Sequence, residues 1–230
     1  MGKRIRPMVD IGMTVGLLAC MGYLLIGEYA HEWIGCALFA LFVTHHILNK
    51  AWHRALFRGK YSAMRTFTAV INSLLVLCMF SSMLSGLVIS KHRGTALPFE
   101  GLTNIARLAH MLAAYWGFAL MSIHIGTHWT MALKKTEKAL NVQKDSRLKK
   151  IALRSIGGLV AAYGVFAFIK RQLGSYMLLR TQFVFFDTEE PLVFFYLDYL
   201  AIMGLFIWLG YYAVQLIKQV GKNKSRRAAH

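Results

Sequence analysis

The stretch HMLAAYWGFALMSIHIGTHW, from His110 to Trp129, contains no Asp, Glu, Lys or Arg. A helix of about 20 such residues crosses a hydrocarbon core about 30 Å thick, because each residue adds about 1.5 Å. Backbone groups in hydrocarbon must hydrogen-bond within their own segment, which favours a helix over an open strand. We therefore predict a transmembrane helix at about 110–132, with histidines near both ends of the quoted stretch.

Five further apolar runs of comparable length occur along the chain. They lie at about 9–27, 31–49, 66–90, 151–169 and 192–217. Of the 230 residues, 57% are hydrophobic and 16% are charged, whereas a soluble domain has about half apolar and about a quarter charged residues. We therefore predict an all-α integral membrane protein in which residues 1–230 form a single domain of six transmembrane helices.

The positive charges indicate how these helices are oriented. The net charge is +17, and 21 of the 27 Lys and Arg residues lie before the first run, after the second, after the fourth and after the sixth. Cytoplasmic segments of membrane proteins carry an excess of Lys and Arg, so we predict cytoplasmic N- and C-termini. Nucleic acid is not an expected partner, because the charges occupy short segments between apolar runs instead of a basic soluble face.

An aromatic segment precedes the sixth run. The sequence SYMLLRTQFVFFDTEE, from Ser175 to Glu190, is short for a span and ends in acids before Pro191. We predict that about 175–190 lies along the outer membrane interface. The alternative is a bent helix that leads into the last span.

Two histidines bracket each of two predicted helices. His31 and His45 flank the second helix, and His110 and His124 flank the fourth; both pairs are 14 residues apart. Fourteen helical residues span about 21 Å and return to within about 40° of the same face. Both helices run from outside to inside, so we predict two level pairs, His31 with His110 near the outer face and His45 with His124 near the inner face.

Paired imidazoles on facing helices predict two stacked haem groups. Two histidines from different helices are a common way to hold haem iron in a bundle. A zinc site would need three or four clustered ligands, and Cys20, Cys36 and Cys78 are not spaced to supply them; no CxxCH motif indicates covalent haem attachment. Small residues that would leave room for a macrocycle lie between the histidines: Gly35, Ala40, Ala113 and Gly117.

The inner ligands have rivals. His46 is about 60° from the first histidine of its helix, against about 40° for His45. His128 lies about 6 Å deeper than His124. We prefer His45 with His124, and we expect His128 to hydrogen-bond a haem propionate, a quinone or a partner's cofactor. The remaining histidines are expected on solvated surfaces: His53 and His92 in loops, and His230 in the tail.

Several of these segments resemble the flavinylation-associated cytochrome family. They are HEWIG at 31–35, HHILN at 45–49 followed by Trp52, and the quoted stretch at 110–129, which is the most specific. The segment FVFFDTEEPLVFFYLDYLAIMGLFIWLGYY, from Phe183 to Tyr212, is similar to the C-terminal part of longer members. The resemblance therefore covers nearly the whole chain.

The resemblance implies a transmembrane cytochrome b with two haem b groups in the bacterial cytoplasmic membrane. It implies electron passage between the membrane quinone pool, menaquinone among the candidates, or another inner donor, and an extracytosolic flavoprotein that carries covalently attached FMN. The chain has no recognisable FMN-attachment motif. The flavoprotein is therefore expected to be a separate chain, and lipid the other partner.

Two other functions compete with this one. The first is a cytochrome b anchor subunit of a hydrogenase, a formate dehydrogenase or a ferric-reductase-type enzyme. The second is a transporter or sensor whose midplane histidines bind protons or metal without haem. No catalytic residue is predicted in an electron carrier, unless a quinol is oxidised at one edge; that reaction would need a proton acceptor such as Glu32, His128 or Asp198.

Overall fold

The computed structural model describes residues 2–90, 100–139, 147–187 and 189–227, and these ranges are mostly helical. Their helices are α1 (Gly2–Cys20), α2 (Tyr23–Ile26), α3 (Glu28–Leu48), α4 (Lys50–Leu56), α5 (Ala63–Ile89), α6 (Thr103–Ala139), α7 (Arg147–Lys170), α8 (Leu173–Met177) and α9 (Leu192–Arg227). A single 3-10 turn, Glu100–Leu102, leads into α6. No β-strand occurs in the described ranges, which confirms the all-α prediction.

Several helices are suited to a bilayer. In the described part of the chain, four are long and apolar enough to cross a membrane: Ala63–Ile89, Thr103–Lys138, Arg147–Lys170 and Leu192–Asn223. A fifth span results if α3 and α4, which meet at a bend of 64°, are counted together. These helices correspond to the second to sixth predicted runs, and they fit a multi-pass membrane protein.

The first predicted helix differs from the structure. α1 ends at Cys20 instead of near residue 27, and it is not among the span candidates. Its first three turns contain four charged residues: Lys3, Arg4, Arg6 and Asp10. The apolar part of α1 that follows them is short. The chain then turns through α2 to Gly27, whose φ of 86° is a backbone conformation that glycine adopts readily.

Large apolar side chains cover the outer faces of two helices. They recur every three or four residues, which is the spacing of one helix face. Soluble proteins place polar side chains on such a face, whereas lipid accepts apolar ones. All of the following are at least 40% exposed: Leu74, Leu77, Phe80, Leu84 and Leu87 on α5, and Ile156, Leu159, Tyr163, Phe166 and Ile169 on α7.

The chain divides into two compact units, and each is described by itself. Unit 1 consists of residues 1–60, 75–118 and 172–197, and unit 2 of residues 61–74, 119–171 and 198–230. The single domain expected from the sequence stays a prediction.

In unit 1, α1 and α3 pack as an antiparallel pair through two glycines. A Cβ added at Gly12 would lie 3.2 Å from Leu41 Cδ1, and one added at Gly16 would lie 3.4 Å from Leu38 Cδ1. Residue numbers therefore rise on α1 as they fall on α3. The pairing brings the start of α1 beside the end of α3, where the predicted inner histidine lies.

The part of α5 in unit 1 packs between α3 and α6. The Phe42 and Phe80 rings meet edge to face at 5.7 Å, and a Cβ added at Gly117 would lie 3.4 Å from Cys78 Cβ. Gly117 therefore lies at a close contact between α5 and α6, and its role in leaving room for a macrocycle stays a prediction. Of the four small residues named for that purpose, Gly35 has no atom within 4 Å of an added Cβ.

In unit 2, α9 approaches α6 through reciprocal glycines. A Cβ added at Gly126 would collide with the carbonyl oxygen of Ile207, and one added at Gly210 would lie 2.5 Å from the carbonyl oxygen of Ile123. Each glycine thus lies against the backbone of the other helix, an arrangement typical of membrane helices that pack closely through small residues.

The other side of α9 packs against α7 in the same way. A Cβ added at Gly164 would collide with the carbonyl oxygen of Ala201, and one added at Gly204 would lie 2.5 Å from Val160 Cγ1. α9 is therefore held on two sides by contacts that require glycine.

The segment before α9 is anchored at its start. The Tyr176 ring of α8 stacks on Tyr115 at 4.9 Å, and Trp116 Nε1 donates a hydrogen bond of 2.9 Å to the Met177 carbonyl oxygen. No helix forms from residue 178 to residue 187, so the segment is not one bent helix that continues into α9. Its location at the membrane interface stays a prediction.

Candidate functional site

The structure brings His31 and His110 together within unit 1. His31 lies in the first turn of α3 and His110 in the second turn of α6, and their ring centres are 6.0 Å apart with the ring planes at 69°. A metal held by one nitrogen from each of two imidazoles, with bonds of about 2.0–2.1 Å, separates the ring centres by about 6 Å. The spacing of this pair therefore fits haem iron.

The Nδ1 atom of His110 is tied to α5. It donates to the Ser82 carbonyl oxygen at 2.9 Å and lies 3.2 Å from Ser85 Oγ. Because a carbonyl oxygen can only accept, Nδ1 carries the proton and the lone pair resides on Nε2. Metal-binding histidines usually donate their second ring N–H to such an acceptor.

His31 has the other property expected of a ligand. Its Nδ1 atom is buried and has no hydrogen-bond partner. An unsatisfied buried polar atom costs about 1–3 kcal/mol, so an isolated core histidine would not favour this state. The ring also hydrogen-bonds the backbone of Cys20, so a metal bound at Nδ1 would relieve this cost.

Polar groups surround the outer pair. The Tyr23 ring lies edge-on to His31 at 5.2 Å, and its hydroxyl donates to Glu28 Oε1 at 2.5 Å. Ser90 Oγ donates to Glu32 Oε2 at 2.7 Å. Glu32, one of the three proton acceptors considered from the sequence, therefore lies beside His31 with its carboxylate hydrogen-bonded.

His45, the predicted inner ligand on α3, contacts a carboxylate. Its Nδ1 atom lies 2.8 Å from Asp10 Oδ1 on α1. Because a carboxylate accepts, this contact places the His45 proton on Nδ1 and the lone pair on Nε2. Its rival His46 has a different partner: His46 Nδ1 lies 2.8 Å from His53 Nε2.

His53 is exposed, as predicted, but the expected loop was wrong. It lies in α4, not in a loop, and the 64° bend between α3 and α4 brings it against His46. His92 and His230 fall outside the described residues.

In unit 2, His124 is also tied at Nδ1. Asn72 on α5 accepts this hydrogen bond through Oδ1 at 2.7 Å, and the His128 ring lies 5.0 Å from the His124 ring. The two members of the predicted inner pair thus belong to different units, His45 to unit 1 and His124 to unit 2. Their pairing stays a prediction, as does the expected contact of His128 with a propionate or quinone.

Asp198 is engaged in an ion-pair cluster in unit 2. It is 1% exposed, and its carboxylate accepts from Tyr163 Oη at 2.6 Å, from Lys170 Nζ at 2.9 Å and from Arg171 Nη2 at 2.7 Å. Two cations and a hydroxyl stabilise the ionised carboxylate. This favours a structural role that ties α7 to α9 over proton acceptance from a quinol.

Sequence reasoning missed the residues that orient the histidines. Asp10, Asn72 and Ser82 were not assigned to the site, because each acts from a neighbouring helix. A polar residue within an apolar run was the available signal, and Asn72 and Asp10 both carry it. The helix register that assigns each to its histidine requires the three-dimensional structure.

Within the ranges that the structure describes, no three His, Cys, Asp or Glu side chains are grouped so that they could hold a metal ion. Haem iron takes two protein ligands, so the haem prediction requires only histidine pairs. Comparison with protein-family models, with curated proteins and with solved structures finds no match for this chain.

Proposed function

We propose that this chain is a transmembrane cytochrome b that carries electrons across the bacterial cytoplasmic membrane through two haem b groups. His31 and His110 would hold the outer haem, and His45 and His124 the inner one. The observation that carries the proposal is the 6.0 Å separation between the ring centres of His31 and His110. Two imidazoles that bind one iron have ring centres about 6 Å apart, and this pair was predicted from sequence spacing alone.

The hydrogen bonds of the histidines support the same function. His110, His45 and His124 each have Nδ1 within 2.9 Å of an oxygen atom on a neighbouring helix, and each therefore presents Nε2 as the lone-pair nitrogen. Ligation by two histidines saturates the iron, which favours electron transfer over reactions with oxygen. When bound, haem supplies the one-electron chemistry, and the chain supplies position and polarity.

The proposed topology has six spans with both termini in the cytoplasm. One span comes from α3 together with α4, and four come from α5, α6, α7 and α9. The sixth comes from α1 with the short segment that follows it. The antiparallel packing of α1 on α3 supports this hairpin, as does the charge distribution.

The electron partners follow from the family resemblance. Electrons would pass between the quinone pool, or an inner donor, and a separate extracytosolic FMN flavoprotein. Glu32, hydrogen-bonded beside His31, is the proton acceptor that best fits a quinol reaction at the outer pair.

The test is a reduced-minus-oxidised visible spectrum of the purified protein, with a pyridine haemochrome assay for haem per chain. The wild type is expected to contain two b haems. His110→Ala and His124→Ala are each expected to retain one.

The outcomes separate the candidate functions. Absence of haem from the wild type would overturn the proposal and favour a transporter or sensor. Two haems together with co-purification of a hydrogenase or formate dehydrogenase subunit, in place of a flavoprotein, would identify an anchor subunit.

A further inference from the structure

The strongest unassigned feature is the contact between Asp10 and His45. Asp10 Oδ1 on α1 lies 2.8 Å from His45 Nδ1 on α3, within the antiparallel packing of those two helices. We propose that Asp10 is the positioning residue that selects His45 over His46 as the inner haem ligand and lowers the reduction potential of that haem. This inference rests on the proposed function.

The Asp10 carboxylate fixes the tautomer of His45. It accepts the Nδ1 proton, so Nε2 is left as the nitrogen that can bind iron. A carboxylate partner also raises the basicity of a metal-bound imidazole. Greater electron donation from the imidazole stabilises the oxidised iron, so the haem that His45 holds has a lower reduction potential.

His46 is held in a different way. Its Nδ1 atom pairs with His53 Nε2, and its ring lies edge-on to Phe42 at 4.4 Å. A pair of neutral imidazoles has two possible proton arrangements, and neither is fixed by an anion. His46 therefore lacks the partner that would commit its Nε2 to a metal.

Comparison with the other histidines shows what is special about Asp10. His110 donates to a backbone carbonyl oxygen and His124 to an amide oxygen, both of which are neutral. Of the three histidines held at Nδ1, His45 is thus the one whose hydrogen-bond acceptor is a carboxylate.

The experiment compares Asp10→Asn and Asp10→Leu with the wild type by potentiometric titration and haem quantitation. Asp10→Asn keeps an acceptor and loses the charge, so two haems remain and one of the two potentials rises. Asp10→Leu removes the acceptor as well, and the same haem is retained about 10- to 100-fold less tightly. Asp187→Asn is the matched control, because it removes an exposed carboxylate from a segment outside the helices.

The haem whose potential changes in the Asp10 variants is expected to be the one that is lost in His45→Ala. His46→Ala is expected to retain both haems. Two unchanged potentials in both Asp10 variants would overturn the inference, as would loss of a haem in His46→Ala but not in His45→Ala. Either result leaves electron transfer through two haems intact, because the wild type contains both; the second result would move the inner ligand from His45 to His46. Absence of haem from the wild type would instead overturn the proposed function, and this inference with it. If Asp10→Leu does not accumulate, the potentials of Asp10→Asn decide.

Discussion

Asn72 Oδ1 on α5 accepts a hydrogen bond of 2.7 Å from His124 Nδ1 on α6. This bond orients the imidazole and places its proton. We expect Asn72→Leu, which has similar volume but no acceptor, to hold the inner haem about 10- to 100-fold less tightly. Haem per chain after dialysis against apomyoglobin measures the loss.

Ser73→Ala is the control for Asn72→Leu, since Ser73 is the exposed neighbour on the same helix. Equal haem retention in the two variants would show that Asn72 does not orient a haem ligand.

A bulky residue at position 86 is expected to displace His110. A Cβ added at Gly86 would already lie 3.4 Å from His110 Cε1 and 3.6 Å from Nδ1. The longer side chain of Gly86→Leu would therefore push the ring away from Ser82 and lower the haem content from two to one. The spectrum and haemochrome assay of the purified variant check this.

Gly158→Leu on α7 controls for the added bulk, because no atom lies within 4 Å of an added Cβ there. If Gly86→Leu keeps two haems with unchanged spectra, His110 is not a ligand in this geometry.

The packing of α6 on α9 is expected to require glycine. Gly126→Ala places a methyl group against the Ile207 carbonyl oxygen, and overpacking of this kind costs about 1–3 kcal/mol. A lower midpoint of thermal unfolding in detergent, followed by circular dichroism, would show it.

Gly221→Ala, also within a helix, has open space around its added Cβ. Alanine is the better helix former by about 1 kcal/mol, so this control is expected to be neutral or stabilising. Equal destabilisation by both substitutions would contradict the close helix contact.

The Asp198 cluster is expected to govern stability. Asp198→Ala removes the buried carboxylate that accepts from Tyr163, Lys170 and Arg171, which we expect to cost about 1–3 kcal/mol, since this is the usual contribution of hydrogen bonds to a charged group. Tyr163→Phe removes one hydrogen bond and should cost about 1 kcal/mol. Denaturation in detergent compares the two.

If Asp198 has only a structural role, Asp198→Ala should also leave the reaction with quinol unchanged. The rate at which a quinol reduces the folded, haem-loaded protein should be unchanged in Asp198→Ala. A fall of tenfold or more at full haem content would instead assign proton acceptance to Asp198.

The sequence predicted most helices because their apolar runs are long. The run at 66–90 became Ala63–Ile89, and the run at 151–169 became Arg147–Lys170. The errors lie at the ends. α9 continues past 217 to Arg227, because Lys, Arg and Gln are good helix formers outside hydrocarbon as well.

The candidate site could be predicted only in part. Spacing along one helix follows from helix geometry, and it identified His31 and His110, which the structure brings together; their role as ligands stays a prediction. The partners of the histidines depend on how neighbouring helices are paired and in what register. Asp10 with His45 illustrates this, because the two are 35 positions apart in the sequence.

The three imidazoles held at Nδ1 have little freedom to turn about their side-chain bonds. If iron binds at their other nitrogen, each ligand is already in place before an electron arrives and stays there after the electron leaves. Small nuclear rearrangement means a low barrier to each hop, because preorganised dipoles need not reorient during the step. Hydrogen bonds from neighbouring helices would thus favour fast electron transfer.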